Sequence, residues 1–230
     1  MKRLLLFVFL LLLPCFALAE EFTLTATVAA EQSALLALPV ENAEAVVPLA
    51  QGDGLTITAL GSTYCQASSG ENRGYVALGD ITFDILHGEP MVLGEVDVSP
   101  TNIMFGRITL RAEASTKSTS LCRMEKGRLV LILGEKNGMV HLAMPGHIGY
   151  AIKKFVRSEV EMLPYTIAYV DNDEPVHLRL DSRYGENWII TKLEPGTPVQ
   201  LFRNPNGWAQ VEVAGQRGRI VGDFLSDEAP

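Results

Sequence analysis

Apolar and polar residues alternate along most of the chain in short runs, and turns rich in Gly, Asn and Pro separate the runs. The segment WAQVEV at 208–213 is typical, because Val211 and Val213 alternate with Gln210 and Glu212 directly after an Asn-Gly turn. Alternation with a period of two between tight turns predicts antiparallel β-hairpins. Helical periodicity is weak beyond the N-terminal residues, so an all-β protein is expected.

The hydrophobic pattern repeats three times along the chain. Three glycines, Gly52, Gly127 and Gly196, serve as origins at intervals of 75 and 69 residues. A large side chain stands 12 positions after each origin, and a second glycine stands 22 positions after it. The large side chains are Tyr64, Met139 and Trp208, and the glycines are Gly74, Gly149 and Gly218. A repeat of this regularity predicts three tandem structural units.

Each copy contains four or five short predicted strands, and a sheet of that size hides its edges by closing into a small barrel. We therefore predict three tandem small barrels at residues 33–83, 107–156 and 176–226. The segments 84–106 and 157–175 are predicted linkers. Both contain strand-like runs, so we expect them to pack on the barrels.

The third copy carries a family resemblance. Its sequence "HLRLDSRYGENWIITKLEPGTPVQLFRNPNGWAQVEVAGQRGRIVGDFL" resembles the bacterial SH3-like (SH3b) domain family, in a leading "L-R" strand, an "N-G-W-x-x-V" strand and a closing "G-x-x-G-x-I-x-x-x-F-L" segment. The second copy matches with Met139 in place of the tryptophan, and the first copy is the most diverged, with Tyr64 there. The resemblance implies that each predicted barrel is SH3-like.

The first nineteen residues have the pattern of a secretory signal peptide. Lys2 and Arg3 precede an unbroken apolar run, and small residues end the segment at Ala19. We predict cleavage after Ala19, a secreted or cell-envelope location, and no transmembrane segment in the mature chain. The alternatives are a short membrane anchor and a lipid on Cys15, which Pro14 disfavours.

The chain is acidic, with 19 basic and 27 acidic residues and a net charge of −8. Removal of Lys2 and Arg3 with the signal peptide makes the net charge −10. Nucleic acids and anionic lipids attract basic surfaces, so neither is an expected partner.

No motif of known catalytic or cofactor chemistry is present in the sequence. Four scattered histidines do not make the three or four ligands of a zinc site. We therefore predict no enzyme activity, no catalytic residue, no metal and no cofactor. In an oxidising compartment Cys65 and Cys122 either form a disulfide or are each small buried apolar residues.

The family resemblance implies binding, because SH3b domains commonly accompany cell-wall hydrolases and help them to bind peptidoglycan. We predict a secreted, non-catalytic protein that binds peptidoglycan or an envelope protein. The alternatives are a structural spacer without a ligand and a hidden cell-wall hydrolase. The predicted ligand residues are Trp208, Phe224, Arg203, Arg217 and Arg219 in the third copy and Met139 and Phe155 in the second. The competing interpretations are a core anchor for the aromatic side chains and solubility for the arginines.

Overall fold

A computed structural model of the chain describes residues 22–98 and 106–229. These residues form three consecutive seven-stranded antiparallel sheets, one for each sequence repeat. The prediction of an all-β protein of three units is confirmed. The predicted signal peptide and its cleavage site lie outside the described residues.

The strands of the three sheets follow the chain in order. The first sheet has β1 (Thr25–Val28), β2 (Gln32–Leu36), β3 (Ala45–Ala50), β4 (Gly54–Ala59), β5 (Tyr64–Ser69), β6 (Asn72–Ala77) and β7 (Ile81–Phe83). The second has β8 (Leu93–Val96), β9 (Arg107–Arg111), β10 (Ser120–Glu125), β11 (Leu129–Lys136), β12 (Met139–Met144), β13 (His147–Ile152) and β14 (Val156–Arg157). The third has β15 (Thr166–Val170), β16 (Val176–Arg179), β17 (Ile189–Leu193), β18 (Pro198–Arg203), β19 (Trp208–Val213), β20 (Gln216–Val221) and β21 (Leu225–Ser226).

Short 3-10 turns connect several of these strands. They lie at Leu78–Asp80, Asp84–Leu86, Lys153–Phe155, Glu186–Trp188, Pro205–Gly207 and Gly222–Phe224. In the third unit Trp188 ends the turn directly before β17, and Trp208 is the first residue of β19.

The three sheets share one strand order. In the first unit the order is β3-β2-β6-β5-β4-β1-β7, and the other two units repeat it. The first strand of each unit pairs with both the fourth and the last strand of its sheet. Two of these first strands, β8 and β15, come from the predicted linkers 84–106 and 157–175, and β1 precedes residue 33. The sheets thus extend beyond the predicted barrel bounds, because the edge of β4, β11 or β18 needs a partner.

The predicted closure into barrels is wrong, because each sheet is open in the described residues. The outer strand β3 and the last strand β7 stand at opposite ends of the order and are not hydrogen-bonded to each other. Strand β3 is mostly exposed and contains Pro48, which has no N–H for a further ladder. The β2–β3 hairpin joins the rest of the sheet through one residue pair, Leu36 and Tyr75.

The buried apolar side chains form two clusters. One cluster runs continuously through the first and second units, from Leu24 to Ala151. The other belongs to the third unit alone and includes Leu178, Val211 and Ile220. The first two units therefore share one hydrophobic core, and the third unit has its own.

Candidate functional site

The β19–β20 hairpin of the third unit lies between the first and second units. Its turn residues Ala214 and Gly215 have positive φ angles of 47° and 71°. The Gly215 carbonyl accepts a hydrogen bond from the Leu129 N–H at 3.0 Å. A Cβ on Gly215 would overlap the carbonyl oxygen of Leu60 in the first unit. Only a residue without a side chain fits at this turn.

Hydrogen bonds to backbone carbonyls attach the same hairpin to the second unit. The Arg217 N–H donates to the Gly127 carbonyl at 2.9 Å. The Gln216 side chain donates to the Lys126 carbonyl at 2.7 Å, and Arg128 donates to the Ala214 carbonyl at 3.2 Å. The hairpin is thus hydrogen-bonded to the turn at residues 126–128 of the second unit.

A buried ion-pair network, which we call the polar lock, joins all three units. The Arg217 side chain, only 7% exposed, donates to Glu212 at 2.9 Å and to Glu95 at 3.1 Å. Its remaining nitrogen donates to the Glu161 carbonyl at 2.9 Å. The second oxygen of Glu212 accepts from the Ser62 N–H of the first unit at 2.8 Å. Buried charges are tolerated when they are paired and hydrogen-bonded in this way.

A cleft of about 640 Å³ opens beside the polar lock, between the second and third units. Five cationic side chains line it: Lys126, Arg157, Arg183, Arg217 and Arg219. Three carboxylate side chains also line it: Glu95, Glu161 and Asp181. Trp188, Leu163 and Leu180 supply apolar surface. Cationic and apolar groups together in a concave surface are typical of a ligand site.

Several charged side chains of the cleft already have partners. Arg157 pairs with Glu95 at 3.1 Å, and Arg183 pairs with Asp181 at 3.4 Å. The Arg183 guanidinium also lies over the Trp188 ring, 4.7 Å from its centre. Among the described residues, Arg219 makes no ion pair, although burial and then the nearby charge of Arg203 lower the pKa of Arg219.

The structure brings two of the predicted ligand residues, Arg217 and Arg219, into the cleft. The structure buries Arg217 in the polar lock, so neither of the two interpretations, an exposed ligand contact or a solubilising side chain, describes its position. Arg203 is exposed, lies outside the cleft and donates to Gln210 at 2.8 Å.

The predicted aromatic ligand residues of the third unit lie elsewhere on its surface. Trp208 is half-buried, and its ring centre lies 5.3 Å from that of the exposed Tyr184. Phe224 is 37% exposed in the closing 3-10 turn. Trp208 is not one of the side chains packed on the third-unit core. Tyr64, at the same position of the first repeat, is also half-buried. The aromatic side chain of this repeat position therefore lies near the surface in the first and third units.

The predicted ligand residues of the second unit, Met139 and Phe155, do not line the cleft. Met139 is 4% exposed and belongs to the interior. Phe155 packs on the core shared by the first two units and carries the Lys154 ammonium 4.7 Å from its ring centre. Phe155 also lines a small groove with Arg107 and Ile152.

Of the residues that line the cleft, the sequence indicated only Arg217 and Arg219, and the residues it did not indicate include Lys126, Arg157, Arg183 and Trp188. Lys126 lies between β10 and β11, and Arg157 is in β14. The available signal was the β16–β17 loop, RLDSRYGENW, which concentrates charges next to one of only two tryptophans in the chain.

Cys65 and Cys122 are both free thiols in the structure, so the disulfide alternative is wrong. Cys65 lies in the core shared by the first two units, and burial raises its pKa to about 12. Cys122 is half-buried in β10, and burial also raises its pKa. The two cysteines belong to different sheets, and each packs as a small apolar residue.

Histidine and acidic side chains form no metal-binding group of three in the described residues. His141 instead stacks on Tyr150 with ring centres 4.5 Å apart, and burial lowers the pKa of His141. In the part of the chain that the structure describes, no helix is both long and apolar enough to cross a bilayer.

Comparison with known proteins identifies no family. No family model matches the chain, and no curated protein matches it. NlpC1 from Trichomonas vaginalis aligns with a TM-score of 0.26 and 8% identity, over 90% of this chain and 95% of that one. NlpC2 from Trichomonas vaginalis aligns with a TM-score of 0.26 and 7% identity, over 90% and 96%. Similarities of this size carry no argument about fold or function.

Proposed function

We propose that this protein is a secreted, non-catalytic binding protein that holds peptidoglycan or an envelope protein in the cleft between its second and third units. The observation that carries the proposal is the cleft of about 640 Å³, lined by cationic side chains and Trp188. Ligand sites commonly have volumes of roughly 300–1,000 Å³ and combine apolar walls with a few polar groups.

The chemistry of the cleft favours binding over catalysis. Its described lining contains no serine, cysteine or histidine that would act as a nucleophile or a proton carrier. Two of its carboxylates, Glu95 and Asp181, are engaged in ion pairs. Arginine and tryptophan are enriched where protein surfaces make strong contacts.

Secretion is supported by the pattern of the first nineteen residues. We expect the mature chain of the exported protein to begin at Glu20, as measured by intact-mass spectrometry. A mature chain that begins at a lipid-modified Cys15 would contradict the proposed processing.

Retention of the mature chain on purified sacculi and on immobilised envelope proteins tests the binding function. We expect retention on one of them, with a large loss in Trp188→Ala, because Trp188 lines the cleft. Tyr184→Ala is the matched control, since Tyr184 is 73% exposed in the same loop and lies outside the cleft. Equal retention of the wild type and Trp188→Ala, both with unchanged melting, would exclude the cleft as the binding site.

A structural spacer is the second candidate function. The polar lock favours it, because three units held in one arrangement can set a fixed distance between other components. A spacer would bind neither sacculi nor envelope proteins. Absence of retention on both surfaces would therefore favour the spacer and contradict the binding function.

A further inference from the structure

Two neighbouring pairs of polar side chains stand on the same face of the β19–β20 hairpin. In the antiparallel register Glu212 lies opposite Arg217, and Gln210 lies opposite Arg219. Residues two apart in a strand point to the same face of the sheet. Arg217 and Arg219 therefore face the cleft from one strand, with a carboxylate beside one and an amide beside the other.

This difference leaves one arginine in an ion pair and the other without one among the described residues. Arg217 is balanced by Glu212 and Glu95. Gln210 is neutral, and its amide oxygen already accepts a hydrogen bond from Arg203. Burial is the main cause of the lowered pKa of Arg219, and repulsion from the Arg203 cation lowers it further, while the Asp181 carboxylate acts in the opposite direction. An anion near Arg219 would relieve that repulsion.

Lys126, on the opposite wall of the cleft, also makes no ion pair with any described residue. The five cations of the lining exceed its three carboxylates, one of which, Glu161, is exposed and also makes no ion pair within the described ranges. Two charged residues just outside the lining cancel each other: the Glu212 carboxylate next to Arg217 lowers the positive excess by one charge, and the Arg203 cation near Arg219 raises it by one. The cleft is thus locally positive in a chain whose net charge is −8.

We propose that the cleft binds a peptide segment that carries carboxylates, with Arg219 and Lys126 as the two residues that contact them. This inference rests on the proposed binding function and names the ligand chemistry. Arg217 is a positioning residue, because each of its three guanidinium nitrogens already donates a hydrogen bond within the protein. The carboxylates come either from the peptides of the cell wall or from an acidic segment of an envelope protein.

The remaining surface of the cleft suits a peptide. The Trp188 ring, held under the Arg183 guanidinium, offers a flat apolar wall for the methylene groups of side chains. The side chains of Leu163 and Leu180 extend this apolar wall. A volume of about 640 Å³ accommodates a few residues of an extended chain.

The first test measures binding of a penta-glutamate peptide to the full mature chain by isothermal titration calorimetry at low ionic strength. Penta-glutamine, of the same length and without charge, is the matched probe. We expect the glutamate peptide alone to bind, and binding to weaken as salt is added. Arg219→Gln and Lys126→Gln should each weaken it about tenfold or more, since a hydrogen bond to a charged group contributes about 1.5–3 kcal/mol.

Arg73→Gln and Lys117→Gln are matched controls, because Arg73 in β6 and Lys117 are exposed and lie outside the cleft. Both controls should bind the glutamate peptide like the wild type. Thermal melting of all four variants should match the wild type, since none of the four side chains makes an ion pair with a described residue. Equal binding of the two peptides, equal loss in controls and cleft variants, or no binding of penta-glutamate would overturn the inference.

Sacculi and envelope proteins then separate the two sources of carboxylates. Blocking the carboxylates of sacculi by amidation should abolish retention if cell-wall peptides are the ligand. Retention on envelope proteins, lost in Arg219→Gln, identifies an acidic protein segment. Failure of the proposed function is distinguishable, because a chain that binds penta-glutamate but neither surface retains the inference and loses the cell-envelope role. If the chain is retained on either surface and Arg219→Gln leaves that retention unchanged, the cell-envelope role stands and the inference about the carboxylate contacts is overturned.

Discussion

The first and second units are joined by apolar side chains, whereas the third unit is joined to both by a polar hairpin. Buried residues of the first two units form one continuous cluster, which includes Leu60 and Met124 beside the junction. The third unit keeps a separate core and contributes Glu212, Gly215 and Arg217 to its junction. One chain therefore uses two different kinds of contact between similar sheets.

The two junctions differ in how strictly they fix the position of one unit relative to the other. Burial of apolar surface is non-directional and tolerates small shifts of one unit against the other. Hydrogen bonds and ion pairs depend on distance and angle, so the polar lock selects one position of the third unit. Because the cleft lies at the polar junction, the junction that fixes orientation is also the one that shapes the candidate site.

The largest expected effect comes from Arg217→Ala. Removal of the guanidinium leaves Glu212 buried without a cation, with only the Ser62 N–H as a donor, and leaves Glu95 with Arg157 alone. Breaking a buried pair costs about 3–5 kcal/mol. Both tryptophans of the chain, Trp188 and Trp208, lie in the third unit, so tryptophan fluorescence during urea unfolding reports on that unit. Arg73→Ala, at an exposed position, should change the free energy of unfolding by about 0.5 kcal/mol or less. A shift in Arg217→Ala as small as in this control would contradict the polar lock.

Met124→Ala tests the apolar junction. Met124 is 1% exposed in the core shared by the first two units, and truncation of a buried methionine costs about 2–5 kcal/mol. We expect the unfolding transition seen by circular dichroism to move more than the one seen by tryptophan fluorescence. Met162→Ala is the control, because Met162 is 59% exposed. If both transitions move equally, the two cores unfold as one, and the contrast between the junctions does not extend to stability.

Gly215→Ala and Gly70→Ala separate backbone strain from docking of the hairpin. Both glycines have left-handed φ angles, 71° and 60°, and a side chain there costs about 1–2 kcal/mol. A Cβ on Gly70 meets open space, whereas a Cβ on Gly215 overlaps Leu60. We therefore expect Gly215→Ala to lower the free energy of unfolding further than Gly70→Ala. Equal losses in the two variants would show that the hairpin tip has room to move.

The smallest effect concerns thiol reactivity, with no change in stability at neutral pH. Burial raises the pKa of Cys65 from 9.0 to about 12, so its thiol stays neutral in the folded protein. A raised folded pKa stabilises the fold fully below about pH 9, and this contribution is lost as the pH rises towards 12. At pH 8 we expect iodoacetamide to modify the half-buried Cys122 before Cys65, as measured by peptide mass spectrometry. Faster modification of Cys65 would indicate that the shared core opens readily.

Much of the fold was predictable because strand formation depends on local sequence. The alternation around Val211 and the glycine spacing correctly indicated the hairpins and the number of units. The first strand of each sheet was harder to place, because β8 and β15 join their sheets by pairing with strands about thirty residues or more further along the chain. The expected closure failed for a related reason, since whether two edge strands meet depends on the bend of the whole sheet.

The candidate site was predictable only in part. Arg217 and Arg219 were identified from residue type and from the third copy, and both line the cleft. The alternation pattern gave Glu212 the solvent face of β19, but the structure buries it at 3% exposure against Ser62. A polar residue in a strand has the same signature whether it meets water or another unit.

The sequence by itself determined the strands, the turns and the threefold repetition, because these follow from the period of apolar residues and from glycine conformations within a few positions. Only the tertiary structure decided how the units meet. The bonds that define the polar lock join residues 122 and 150 positions apart, Arg217 to Glu95 and Glu212 to Ser62. No local pattern specifies such partners, since each side chain is simply polar until the chain brings them together and water is excluded.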